Sequence, residues 1–110
     1  MRLLHKKIGN TLVIRPEGEL DMSVAEPFRQ GVDQLLEQHP GCDLCLDLEA
    51  VSFIDSSGLG VILGRYKKLS ATRLKMSICS PRPPVKRILE LSGVMRIMPV
   101  YDSLEQLAQM

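Results

Sequence analysis

Hydrophobic and polar positions recur with two different periods along this chain, and the changes of period divide it into elements. Leu3 to Ile8 and Thr11 to Pro16 are short apolar-rich runs joined by Gly9-Asn10, a turn signal, so the two are predicted to pair as a β-hairpin. Gly18-Glu19-Leu20-Asp21 is expected to leave the sheet as a loop. Ser23-Val24-Ala25-Glu26 has the S-x-x-E form of a capping box. Phe28, Val32, Leu35 and Leu36 then repeat at helical spacing until Pro40-Gly41 ends the segment. Asp43 to Leu48 alternates as a strand. Val51-Ser52-Phe53-Ile54 carries the chain to Asp55, and a second helix is predicted from Ser57 to Leu69. Arg73 to Cys79 reads as a strand. Pro83 and Pro84 suit a first helical turn, Val85, Ile88, Leu89 and Ser92 share one face of the helix that follows, and Gly93 suits its C-cap. Met95 to Val100 reads as a last short strand, and Asp102-Ser103-Leu104-Glu105 opens a short terminal helix.

The predicted order is β-β-α-β-α-β-α-β-α. Strands alternating with helices imply an α/β fold with a mixed, mainly parallel sheet of about four to five strands and about four helices packed on it. No repeat, low-complexity segment or linker interrupts the chain, so residues 1–110 are expected to form one domain.

Composition narrows the function classes. Apolar residues make up 45% of the chain, enough for a core, and the formal net charge is +1. That balance argues against a nucleic-acid binder or a polybasic membrane anchor. No apolar run approaches the roughly 20 residues that span a bilayer. The start, Met1-Arg2-Leu3-Leu4-His5-Lys6-Lys7, lacks the apolar core of an export signal, so a cytoplasmic location is expected. Cys42 and Cys45 have C-x-x-C spacing, but in a strand residues three apart point to opposite faces. With no further ligand pair nearby, the cysteines are expected to be apolar packing residues, and no metal or cofactor is expected.

The unusual stretch is Asp55-Ser56-Ser57-Gly58-Leu59-Gly60-Val61-Ile62-Leu63-Gly64-Arg65-Tyr66. On a helical wheel, Leu59, Ile62, Leu63, Tyr66 and Leu69 form a core stripe. The opposite side holds Ser57, Gly60, Val61, Gly64 and Lys68, where a surface helix normally carries long polar groups. Each glycine in a helix costs about 1 kcal/mol relative to alanine. A docking partner that needs a smooth face, with Val61 exposed upon it, accounts for that cost better than internal packing. Any of Asp55, Ser56 or Ser57 can cap the helix. A phosphate on either serine would bring about −1.5 to −2 charges to the end of this face. It would stand near Asp55 and the Asp21 loop, and it would spoil docking without unfolding the helix. The residues alone leave Ser56 and Ser57 as equals.

Three chemical alternatives fit less well. Gly58 to Gly64 is G-x-G-x-x-x-G, off the dinucleotide spacing and with no acidic residue about twenty positions on. No G-K-[ST] follows the glycines. Ser57 as a catalytic nucleophile needs a base, and the two histidines, His5 and His39, lie in the first strand and at a helix end. A non-enzymatic role is expected.

The segment from Ile54 to Lys67 resembles the signature of the anti-sigma-factor antagonists of the STAS domain superfamily, most closely their sporulation members. Gly18-Glu19-Leu20-Asp21 with Ala25-Glu26 resembles the family's first loop and helix, and Ser80-Pro81, Val85-Lys86-Arg87 and Ser92-Gly93 resemble its later loop and third helix. The resemblance spans essentially the whole chain. It implies a single STAS-type domain that binds an anti-sigma factor which is also a serine kinase, and so frees a sporulation sigma factor for transcription. It implies phosphorylation at Ser57, the second serine of the pair, as the inactivating step, and a dedicated serine phosphatase that reverses it. It also implies that Asp21 contacts the partner. The expected contact set is then Asp21, Asp55, Ser56, Ser57, Gly58, Gly60, Val61, Gly64 and Lys68. A STAS switch serving another circuit, such as a stress response, and a small nucleotide-binding module are the alternatives.

Overall fold

The computed structural model describes residues 1–109. Its main sheet has five strands: β1 (Leu3–Ile8), β2 (Thr11–Pro16), β4 (Asp43–Asp47), β6 (Met76–Cys79) and β7 (Val100–Tyr101). They lie in the order β1-β2-β4-β6-β7. The β1–β2 pair is antiparallel and turns at Gly9, whose φ of +58° a glycine adopts without strain. The three other pairings are parallel. A mixed, mainly parallel sheet was the expectation, and it is what forms.

Four α-helices accompany the sheet among the described residues: α1 (Ala25–Gln38), α2 (Ser56–Ala71), α3 (Pro83–Ser92) and α4 (Leu104–Ala108). Leu12, Ile14, Leu44, Leu46 and Ile78 point from the strands into one cluster with Phe28 and Val32 of α1, Ile62 and Leu69 of α2, and Val85 and Leu89 of α3. The alternate strand residues Val13, Cys45 and Cys79 face the other way and meet Leu104 and Leu107 of α4. Cys42, just before β4, belongs to the first cluster and Cys45 to the second, so the C-x-x-C pair is split between the faces. All three cysteines are free thiols.

Several local expectations need correction. Gly18–Leu20 is not a loop but a strand, β3, and Val51–Ile54 is a further strand, β5. The two pair in parallel as a separate small sheet. They were hard to read because each is only three or four residues long, too short to show a period. Ser23 does not cap α1. Asp21 instead caps a 3-10 turn over Met22–Val24 that leads into α1, and Ser23 donates to the Asp21 carboxylate. The expected strand from Arg73 begins only at Met76, because Arg73 takes a left-handed turn conformation with φ of 61°. The expected strand over Met95 to Val100 is a 3-10 turn over Val94–Arg96 followed by the two-residue β7. Val94 and Met98 are the buried positions there. Their spacing of four is helical, and the strand expectation overlooked it.

Candidate functional site

The small sheet holds two loops side by side. In the β3–β5 register Leu20 lies opposite Ile54, so the residues that follow, Asp21 and Asp55, leave the sheet together. The Asp55 N–H donates to the Leu20 carbonyl at 3.2 Å. Asp55 also caps α2: its Oδ1 accepts from the N–H groups of Ser57 at 2.8 Å and Gly58 at 3.1 Å. Its second oxygen accepts from the Met22 N–H at 3.2 Å. One carboxylate therefore satisfies two orphan donors of the helix start and ties the Asp21 loop to it. Asp21 in turn accepts from the Ser23 N–H at 3.0 Å and hydroxyl at 2.6 Å. The Ser23 hydroxyl holds the Asp21 carboxyl below the usual carboxylate range.

With Asp55 as the cap, neither serine is needed there. Ser56 is exposed, and Ser57 is half-buried. Among the described residues no hydrogen bond engages the Ser57 hydroxyl, and only its backbone N–H is held.

The glycines of α2 serve different ends. A Cβ on Gly58 would collide with the Leu20 carbonyl oxygen and crowd Ile54, so Gly58 allows α2 to press against β3. A Cβ on Gly60 or Gly64 would meet nothing within 4 Å. Those two leave a bare outer strip, with Ser57 at one end and Lys68 at the other. The Lys68 ammonium reaches Asp33 of α1 at 3.5 Å while its side chain remains 53% exposed.

Val61 corrects the helical-wheel expectation. It is 9% exposed and belongs to the core. The inward face of α2 is Gly58, Val61, Ile62 and Leu69, with Leu59, Leu63 and Tyr66 only half-buried. The helix is rotated about 80° from the expected orientation at 100° per residue. The cause is the close fit of Gly58 on β3 together with Arg65, which is drawn inward to Asp33 at 3.1 Å. The outer strip is thus Ser57, Gly60, Gly64 and Lys68, without Val61, with Gly60 and Lys68 exposed and Ser57 and Gly64 half-buried.

Sequence reasoning missed Met22. Its side chain is 77% exposed, and its backbone is bonded to Asp55. A large apolar side chain displayed beside a helix start is a contact candidate, and the signal was present as a methionine directly after Asp21, opening the 3-10 turn. No helix of the described residues is long and apolar enough to cross a membrane. Among those residues no group of three or more His, Cys, Asp or Glu side chains could hold a metal ion.

The family model described as STAS domain matches residues 3–107. An anti-sigma F factor antagonist from Paenibacillus polymyxa is 41% identical over 92 residues, covering 84% of this chain and 79% of that protein. A crystal structure of a putative anti-sigma factor antagonist from Thermotoga maritima superposes with a TM-score of 0.88 at 29% identity, over 97% of this chain and 92% of that one. The antagonist SpoIIAA in its unphosphorylated form superposes with a TM-score of 0.78 at 28% identity, over 98% and 95% of the two chains. SpoIIAA of Bacillus in its phosphorylated form does so with 0.71 at 28% identity, over 98% of both. Matched along nearly its whole length in sequence and in fold, the chain belongs to the STAS domain family, among its anti-sigma factor antagonists.

Proposed function

We propose that the unphosphorylated chain binds an anti-sigma factor with serine kinase activity, and that this releases a sporulation sigma factor. Phosphorylation of Ser57 by the bound kinase ends the complex, and a serine phosphatase restores it. The observation that carries this reading is that Asp55, and not a serine, caps α2. The Ser57 hydroxyl is thereby left free at the edge of the bare strip formed by Gly60 and Gly64. The loop of Asp21 and Met22 is tied to this helix start through Asp55, and Lys68 closes the far end of the strip. A phosphate on Ser57 would place about −1.5 to −2 charges beside Asp55 and at the rim of the strip. The cap and the core contacts of α2 do not use the hydroxyl, so the fold survives while negative charge accumulates at the rim of the docking surface. That the similar antagonist SpoIIAA occurs in phosphorylated and unphosphorylated forms supports the same reading.

The test is incubation with the kinase partner and ATP, followed by mass spectrometry and a binding measurement. One phosphate on the native chain, none on Ser57→Ala, and loss of binding by Ser57→Asp with an unchanged circular dichroism spectrum are expected. Stoichiometric phosphorylation of Ser57→Ala would overturn the assignment. A nucleotide-binding role has less support from the site. The glycines of G-x-G-x-x-x-G lie within a helix rather than a phosphate-cradling loop. The N–H groups of Ser57 and Gly58, which a phosphate would need, are already held by Asp55.

A further inference from the structure

The chain has two histidines, His5 and His39, and the fold brings them together. His5 is exposed on the edge strand β1. Leu3, two residues before it, packs toward Gly31 of α1, so by strand alternation His5 stands on the same helix-facing side. His39 is the residue on which α1 ends. The two ring centres are 5.5 Å apart, edge to face at 61°. Nδ1 of His39 lies 2.9 Å from the Leu35 carbonyl oxygen. A carbonyl can only accept, so in the neutral imidazole Nδ1 carries the hydrogen and Nε2 is the lone-pair nitrogen. A metal-binding histidine almost always has this arrangement, with one ring nitrogen donating to a carbonyl or carboxylate and the other facing the ion.

The spacing of the rings also fits. A zinc ion about 2.0–2.1 Å from a ring nitrogen lies about 3.2 Å from that ring's centre. A tetrahedral angle at the ion then separates two ring centres by about 5.2 Å. We infer that His5 and His39 form a two-imidazole site for a late first-row divalent cation such as Zn2+, clamping the edge strand β1 to the end of α1. Among the described residues no third His, Cys, Asp or Glu joins the pair, so water fills the remaining positions of an open, exchangeable site. Imidazole ligands select such ions over Mg2+ or Ca2+, which prefer oxygen. None of the residues of the Ser57 site takes part.

Untagged protein titrated with Zn2+ in a non-coordinating buffer, followed by calorimetry and by NMR of the imidazole ring protons, tests the site. One equivalent of Zn2+ should bind, both histidines should shift together, and Mg2+ at the same concentration should move neither. His5→Gln and His39→Gln should each weaken Zn2+ binding by at least about tenfold. His5 is exposed on an edge strand, so His5→Gln keeps the fold and decides the matter even if His39→Gln frays α1. Absence of Zn2+ binding, or Zn2+ binding unaltered by His5→Gln, would overturn the site and leave only a ring-to-ring contact.

Discussion

Asp55 shows how much one side chain does at this site. Its carboxylate caps α2 and holds the Met22 N–H, so the same group that starts the helix also fixes the neighbouring loop. The glycines that follow divide the labour, and substitution separates their roles. Gly60→Ala removes the entropic cost of a helical glycine in an open position, so the isolated protein should gain about 0.5–1 kcal/mol. If the strip is a docking face, the same change weakens the complex with the anti-sigma factor. Gly58→Ala should instead cost stability outright, because its Cβ runs into the Leu20 carbonyl. Urea unfolding of both variants, with partner binding measured in parallel, checks the pair. Asp21 makes a prediction of a different kind. The Ser23 hydroxyl lowers its pKa from 3.8, so the bonds that hold the 3-10 turn persist above that value and are lost as pH falls through the depressed pKa. An NMR titration should place the Asp21 midpoint below 3.8, and Ser23→Ala should move it upward.

At the scale of elements, α2 is held by more than its apolar face. Asp33 of α1 gathers Arg65 at 3.1 Å, Arg29 at 3.4 Å and Lys68 at 3.5 Å. The Arg65 and Asp33 side chains are only 12% and 15% exposed. Asp33→Leu would strand a largely buried guanidinium and should cost about 3 kcal/mol in denaturant unfolding. Adding Arg65→Met should restore most of that loss; a double variant no better than Asp33→Leu alone would show that the pair is not the source. This ion pair also explains which parts of the fold were legible. Helices with a single apolar stripe, such as the one carrying Phe28 and Val32, could be placed from periodicity. In α2 two overlapping stripes compete, one through Leu59 and Tyr66 and one through Val61 and Ile62, and the choice rests on Arg65 finding Asp33 and Gly58 finding β3. Both are contacts between segments distant in sequence, which no local pattern encodes. The β3–β5 pair was hidden for the same reason, since its existence depends on pairing rather than on propensity. The serines and glycines of the site were visible from the sequence, whereas the identity of the cap and the burial of Val61 were not.

Across the whole molecule the two faces of the sheet are unequal. Three helices bury one face, while Val13, Cys45 and Cys79 on the other are covered by the five-residue α4. The Cys79 thiol is held strongly toward its protonated form, first by its hydrogen bond with Cys45 and then by burial. The same hydrogen bond lowers the Cys45 pKa, so Cys45 is protected by its burial alone, and with both side chains buried the native protein should resist thiol alkylation at both positions. Leu104→Ala with Leu107→Ala should thin this cover, lower stability by about 1–2 kcal/mol per site, and speed alkylation of Cys45 and Cys79 well before that of Cys42, which lies under the helices. Equal rates at the three thiols would show that α4 does not shield this face.

The strand order bears on how copies of the molecule behave when crowded. An open sheet ends in rims whose unpaired backbone groups invite a neighbouring copy to add its own strand. Here one rim is β1, which presents Lys6 and Lys7, and the other is β7, which is two residues long. Growth at the first would bring lysines against lysines, and the second offers too little ladder to hold a newcomer. The arrangement guards against fibrous aggregation with a pair of cations at one boundary and brevity at the other, and it leaves the helical side of the molecule free of that duty.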